Sequence, residues 1–358
     1  MRKFGSALLA GTVLAVGATS PAAALEGVVA SIKPIHSLVA AVMGDVGKSS
    51  LLVSGAGSPH TYSMRPSEAQ ILESASVVFW VGHDLEMFLA GPLDTLAGGA
   101  KVVELGDSEG LTKLAYREGG PFEGHAHAAE AEDHAHESEE GHDHAHEHEE
   151  ADGHGHEDDA EEATEAAHDH DHAHESEDGH DDHAHGGHDM HFWLDPENAR
   201  AMVGAIETAL SEADPDNAQA YAANAAATVE KIDALAAETQ AAVDGLENRG
   251  FVVFHDAYQY YEKRFGIEAA GSITVSPDVM PGAQRLSEIQ ARVQELGAAC
   301  VFSEPQFESR LVTVITEGTD AKGGVLDPLG ADLEDGPELY FELIRNLTTS
   351  LTTCLSDG

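Results

Sequence analysis

Asp189-Met190-His191-Phe192-Trp193-Leu194-Asp195-Pro196 marks the point where a long acidic, histidine-laden run stops and ordinary folding sequence resumes. Upstream of it, residues 125–188 contain eighteen histidines set among Asp, Glu, Ala and Gly, with no Lys or Arg. Those histidines are interchangeable, but His191 is not. Phe192, Trp193 and Leu194 can hold it in a packed wall, so His191 reads as part of a defined metal site and the run as an accessory.

On both sides of this junction the chain alternates short apolar runs with helical patterns. Gly27–Ile32 reads as a buried strand, and Pro34 starts a helix. Strands are expected at 50–53, 77–81 and 101–105, with a helix over 66–74 and a short one carrying Glu86 and Met87. After Pro196 a helix runs to about Ala213. Asp214 before Pro215 then reads as an N-cap with proline at the first helical position. The alanine- and glutamate-rich helix that follows reaches about Leu246, much longer than an average helix. Strands return at 251–254, near 273–275, at 300–303 and at 324–326. Helices are expected from Ala257, over 282–296 and from about Pro337. The pattern predicts an α/β fold: two β/α lobes with parallel sheets joined by a long rigid helix. The lobes span 25–213 and 248–358, with the connector at 214–247. Residues 119–189 interrupt the first lobe. They carry no period that could bury a face and should be disordered without metal.

The 358 residues carry a formal charge of −47, and between Glu123 and Asp189 every charged side chain is acidic. Such a surface repels nucleic acid and anionic lipid and concentrates cations, which excludes a nucleic-acid partner. Residues 1–24 read as an export signal. Arg2 and Lys3 form a basic head, Ala7 to Ala18 an apolar stretch, and Pro21-Ala22-Ala23-Ala24 a small-residue site for cleavage near Ala24. The apolar stretch falls short of the ~20 residues that span a bilayer, so no direct membrane anchor is expected. Cys300 and Cys354 suit an oxidising compartment. They either bridge, tying the C-terminal segment to a strand, or remain two buried thiols.

His60, His191 and His255 lie outside the run. His255 directly follows the strand 251–254, and His60 lies in the loop leaving the strand 50–53. Asp327 follows the strand 324–326. Ligands of open α/β sheets bind at such strand ends. Taken singly, each residue could equally be structural, and Asp327 before Pro328 could simply organise a turn. His36, on a helix face, and His83, at a strand-end turn, read as structural.

Four segments taken together resemble the cluster A-I solute-binding proteins of metal ABC importers. They are Ser58-Pro59-His60-Thr61-Tyr62-Ser63-Met64-Arg65-Pro66-Ser67, Met190-His191-Phe192-Trp193-Leu194-Asp195-Pro196, Phe254-His255-Asp256-Ala257-Tyr258 and Leu326-Asp327-Pro328-Leu329-Gly330. The resemblance implies a metal in the cleft between the lobes, with ligand positions at His60, His191, His255 and Asp327. Histidine rather than a carboxylate at the third position resembles the zinc carriers of the ZnuA type, not the manganese carriers. Imidazole nitrogen also suits zinc better than manganese. The internal run and the late cysteine pair point the same way. One residue departs from the pattern. Some of these proteins carry glutamate just before the first ligand, where this chain has Pro59, which leaves Asp327, water or a residue of the run for the fourth position.

The resemblance thus implies a periplasmic receptor, expected to be a monomer, that captures Zn²⁺ and hands it to a membrane permease without catalysing a reaction. A zinc hydrolase and a zinc buffer built on the run alone are the rivals, but the H-E-x-x-H signature of zinc proteases is absent. The run would supply or sense zinc through His125, His127, His134, His136, His142, His144, His146, His148, His154, His156, His168, His170, His172, His174, His180, His183, His185 and His188. Partners that orient the ligand imidazoles are expected, though the sequence does not name them.

Overall fold

The computed structural model describes residues 24–117, 122, 187–246, 249–274, 281–307 and 310–356. The export signal up to Ala23, the run histidines from His125 to His185, and Val275 lie outside the described residues.

The first β/α set is β1 (Val28–Ile32), α1 (Lys33–Met43), β2 (Ser49–Val53), α2 (Pro66–Glu73), β3 (Val77–Trp80), α3 (Met87–Leu96) and β4 (Lys101–Glu104). Its strands are parallel, in the order β2-β1-β3-β4. All residues of β1 and β3 are buried, as expected of central strands covered on both faces. A 3-10 turn at Phe192–Leu194 leads into α4 (Pro196–Ala213) and then α5 (Ala218–Val243). The second set is β5 (Phe251–His255), α6 (Gln259–Phe265), β6 (Gly271–Thr274), α7 (Ala283–Leu296), β7 (Cys300–Ser303), α8 (Arg310–Thr316), β8 (Lys322–Val325) and α9 (Leu339–Ser356). It repeats the first topology, with parallel order β6-β5-β7-β8.

The 26-residue α5 is the expected long helix, about 39 Å at 1.5 Å per residue. Tyr221, Ala225, Thr228, Ile232, Leu235, Thr239 and Val243 form its buried stripe at three- and four-residue spacing. It packs against α1, α4 and α9. The last helix also reaches back to α1 of the first set, so one apolar core runs through both sheets. This favours a rigid body over two freely hinged halves.

Three local expectations need correction. Asp214 is the N-cap residue with Pro215 at the first helical position, as expected, but its side chain caps no backbone N–H. Its carboxylate accepts from Asn217 Nδ2 and Tyr221 OH, each at 2.8 Å, and Pro215–Asn217 form a 3-10 turn before the α-helix begins. The helix expected from Ala257 starts at Gln259, because Ala257 N donates back to His255 O and tightens the strand exit. Arg310–Thr316 is a helix that the sequence pattern does not suggest. Its Val, Thr and Ile residues favour strands, and burial of Val312 and Ile315 overrides that preference.

The Phe192–Pro196 segment joins the two sets. Trp193 is fully buried and donates from Nε1 to Pro328 O at 2.8 Å. Tyr340 OH donates to Trp193 O at 2.9 Å. Asp195 caps α4 by accepting from Glu197 N and also takes both arms of Arg264, at 2.6 and 2.7 Å. Lys33, at the start of α1, donates to Ala331 O and Leu333 O on the far side. Cys300 in β7 is bonded to Cys354 in α9, the bridged alternative of the sequence reading.

The bridge closes a loop with a sequence separation of 54, so reducing it should cost about 4 kcal/mol by loop entropy. Urea unfolding with and without reductant should show this as a lower midpoint. A second expectation concerns Glu86, which is buried and accepts from Val81 N and Gly82 N. Burial raises its carboxyl from 4.5 to about 7. The folded state therefore holds a proton that the unfolded chain releases, and stability should fall as pH rises through that interval. In Glu86→Gln this part of the pH slope should vanish.

Candidate metal centre

His60 follows β2, His255 ends β5, and His191 precedes the 3-10 turn, so the C-terminal edges of the two sheets meet around the three rings. In the second sheet the site sits where strand order reverses, between β5 and β7, the usual ligand crevice of open α/β sheets. Ring centroids lie 5.1, 5.4 and 5.5 Å apart. Nε2 of His191 is 3.3 Å from Nε2 of His60 and 3.3 Å from Nε2 of His255.

The His191–His255 distance is not a hydrogen bond between a donor and an acceptor. His191 Nδ1 lies 2.6 Å from Asp189 Oδ1, and His255 Nδ1 lies 2.8 Å from Glu304 Oε1. A carboxylate accepts, so in the neutral rings both Nδ1 atoms carry the proton and both Nε2 atoms point lone pairs at each other. The spacing fits a shared cation. Two nitrogens bound tetrahedrally at ~2.0–2.1 Å from zinc stand about 3.3–3.4 Å apart. The same two carboxylates also accept from the backbone N–H of the residues they orient, at 3.0 Å for His191 and 3.3 Å for His255.

Burial sets the electrostatics. It draws His60 and His191 well below the ordinary imidazole value, with the neighbouring rings adding to the effect. Both are thus kept neutral and ready to ligate. Burial also pulls His255 down, but the charge and hydrogen bond of Glu304, with Asp256 and Asp189, outweigh it and the net direction is up. Asp189 is fully buried, and that pushes its carboxyl up to about 7.

Among the described residues, His60, His191 and His255 form the one group of His, Cys, Asp or Glu whose ligand atoms lie within 4.8 Å of each other. Asp327, one of the three alternatives left open for the fourth position, has no oxygen in that group. Its Oδ1 accepts from Leu329 N, Gly330 N and Gln306 Nε2 at 3.0, 3.0 and 2.9 Å, and its Oδ2 from Ala331 N at 2.6 Å. Four donors use up the carboxylate in organising the turn after β8. Gly330 completes that turn at φ 72°, where a Cβ would meet Leu333 at 3.1 Å. His36 bonds Ser49 O at 3.2 Å, and His83 lies beside Asp84. His188, the last histidine of the run, pairs with Ala115 in an antiparallel bridge.

Sequence reasoning named none of the orienting carboxylates. Asp189 stands two residues before His191, and Glu304 follows β7 in the same kind of strand-end position as His255. Those placements were the available signals. Arg117 was also overlooked. It pairs with Asp256, next to His255, and its Nη1 and Nη2 donate to Glu262 at 2.7 and 3.0 Å. Tyr260 OH bridges the strap at 114 and 189, donating to Asp189 O at 2.7 Å and accepting from Leu114 N at 2.9 Å.

Comparison with known proteins gives a family-model match over residues 28–354 to "ZnuA: Zinc-uptake complex component A periplasmic". The high-affinity zinc uptake system protein ZnuA of Brucella suis is 53% identical over 357 residues, covering 99% of this chain and 100% of that protein. The protein of the same name from Yersinia pestis is 32% identical over 349 residues, covering 98% and 96%. A crystal structure of ZnuA aligns with TM-score 0.67 at 22% identity, covering 92% of this chain and 98% of that one. At that identity the structural match speaks for the fold.

Two variants probe this arrangement. Asp189→Leu should weaken zinc binding about 10–100-fold by freeing the His191 ring, as read by chelator competition. Arg117→Ala leaves two buried acids unpaired and should cost about 3–5 kcal/mol of stability, as read by urea unfolding.

Proposed function

Because the chain belongs to the ZnuA family of periplasmic zinc-uptake components, we propose that His60, His191 and His255 are the ligands with which it captures its zinc ion. The protein is the solute-binding component of a zinc ABC importer. It works with a membrane permease and binds its cargo rather than transforming it. The observation that carries the ligand assignment is the 3.3 Å spacing of the proton-free Nε2 atoms of His191 and His255, with His60 Nε2 also 3.3 Å from His191 Nε2. Three imidazoles around one point, two of them buried and His60 half-buried, suit a borderline-soft cation that prefers nitrogen.

The acidic histidine run is read as an accessory that gathers or senses zinc and passes it to this site. Support comes from the run's two ends. Tyr116 N donates to Gly187 O at 3.3 Å and Asp189 N to Leu114 O at 2.9 Å, so the chain leaves and re-enters at one place. That place continues directly into Asp189 and His191. The remaining organisation follows the sequence reading: a signal cleaved near Ala24, lobes at 25–213 and 248–358, a connecting helix segment at 214–247, and a monomer without a membrane anchor. No described helix is long and apolar enough to cross a membrane. The stitched core suits small lobe movements, so release of zinc has to be triggered at the permease.

Radioactive zinc uptake under zinc limitation tests the reading. Cells whose only copy carries His255→Ala should take up zinc as slowly as cells lacking the protein, while the unaltered chain restores uptake. Full uptake through His255→Ala would contradict the assignment.

A further inference from the structure

His191 and His255 are 64 residues apart in sequence, and their lone pairs repel at the 3.3 Å that separates their Nε2 atoms. Something must set that distance before a cation arrives. His255 ends β5 and moves with the second sheet. His191 belongs to no strand or helix, so its place depends on what holds its neighbours. Downstream, Trp193 is tied to Pro328 O and to Tyr340 OH. Upstream, Asp189 orients the ring through its carboxylate, so the placement of residue 189 decides where the ring stands.

The backbone of Asp189 is held on both sides. Its N–H donates to Leu114 O at 2.9 Å, and its carbonyl accepts from Tyr260 OH at 2.7 Å. The Tyr260 oxygen also accepts from Leu114 N at 2.9 Å. That second bond fixes the direction of the first: a backbone N–H can only donate, so the phenolic proton has to go to Asp189 O. The hydroxyl thus closes a ring of hydrogen bonds through residues 114 and 189. Tyr260 is 1% exposed, so both of its bonds are shielded from water. Its ring lies against Phe192, with centroids 5.4 Å apart.

Tyr260 is itself part of the piece that carries His255. Ala257 N donates to His255 O at 2.9 Å and Glu262 N to Tyr258 O at 2.8 Å, so backbone bonds close the corner from β5 into α6. Arg117 and Gln259 dock the strap on the same corner, through Asp256 and Glu262 and through Ala115 O. The path from one ligand to the other is therefore short. It runs from His255 through the corner to the Tyr260 hydroxyl, then to Asp189 and His191.

Resting on the zinc-receptor reading above, we infer that Tyr260 is a positioning residue that sets the separation of His191 from His255. Its hydroxyl pins residue 189 to the corner that carries the other ligand. Without that oxygen, Asp189 still selects the His191 tautomer, but carboxylate and ring can shift as a unit. The two facing lone pairs then push the rings apart, and a bound cation has to draw them back. The cation is held less tightly as a result.

The test compares two conservative changes on one helix. Tyr260→Phe removes a single oxygen and leaves the ring on Phe192. Tyr261→Phe, at the next residue of α6, removes an equally buried hydroxyl that bonds Thr348 Oγ1 in α9 at 2.8 Å. Adjacent helical residues point about 100° apart, so the second variant differs from the first chiefly in direction. Zinc affinity is read by chelator competition, and ligand geometry by the visible spectrum of the full chain with one equivalent of Co²⁺. His255→Ala is the blank for metal held by the run. Tyr260→Phe should lower zinc affinity about tenfold and alter the Co²⁺ spectrum, while Tyr261→Phe leaves both as they are. Unaltered affinity or an unaltered spectrum in Tyr260→Phe would overturn the inference, as would equal changes in both variants. Either result leaves the three-histidine site standing. If His255→Ala keeps the tight equivalent, the receptor reading itself fails.

Discussion

Two imidazole nitrogens with bare lone pairs, held 3.3 Å apart inside the protein, repel one another unless a cation lies between them. Here a third nitrogen faces the same point. The arrangement holds only because Asp189 and Glu304 keep the protons on the far nitrogens and because the surrounding backbone cannot relax. In water, three such rings would turn away or protonate. Packed between two sheets, they form the proposed trap, whose unfavourable apo state a bound cation would relieve.

The rest of the fold supplies that rigidity. The rings come from chain segments on both sides of the long helix. They are kept in register by the buried Trp193–Pro328 bond, the Asp195–Arg264 pair and Lys33 reaching across to Ala331 and Leu333. A core continuous through both sheets and the return of α9 onto α1 add to the same effect. The acids that orient the ligands also lie where the histidine run is anchored. Asp189 closes the run, and Arg117, at its start, pairs with Asp256 beside His255.

Much of this was legible in the sequence. The alternation of apolar runs and helical patterns gave the two parallel sheets, because central strands such as β1 and β3 are buried on both faces and must read as continuous apolar stretches. His60 and His255 could be picked out at strand ends and His191 by its apolar neighbours, and the family resemblance joined the three into one site. What was hidden depends on side-chain direction. Asp327 occupies the right strand end, but a carboxylate followed by Pro-Leu-Gly finds three backbone N–H groups within reach and bonds them first. Asp189 looked like the last acid of an acidic run until its contact with His191 set it apart. Glu304 is brought to His255 by the parallel pairing of β5 with β7, which no local pattern encodes.

The most direct measurement is a zinc titration of the full chain against a competing chelator, beside His60→Ala and His255→Ala. The account requires one equivalent bound far more tightly than any other in the unaltered chain, absent from both variants, with only the weak equivalents of the run remaining. A tight equivalent that survives both substitutions would mean that zinc is held elsewhere, and the three-imidazole trap would have to be abandoned.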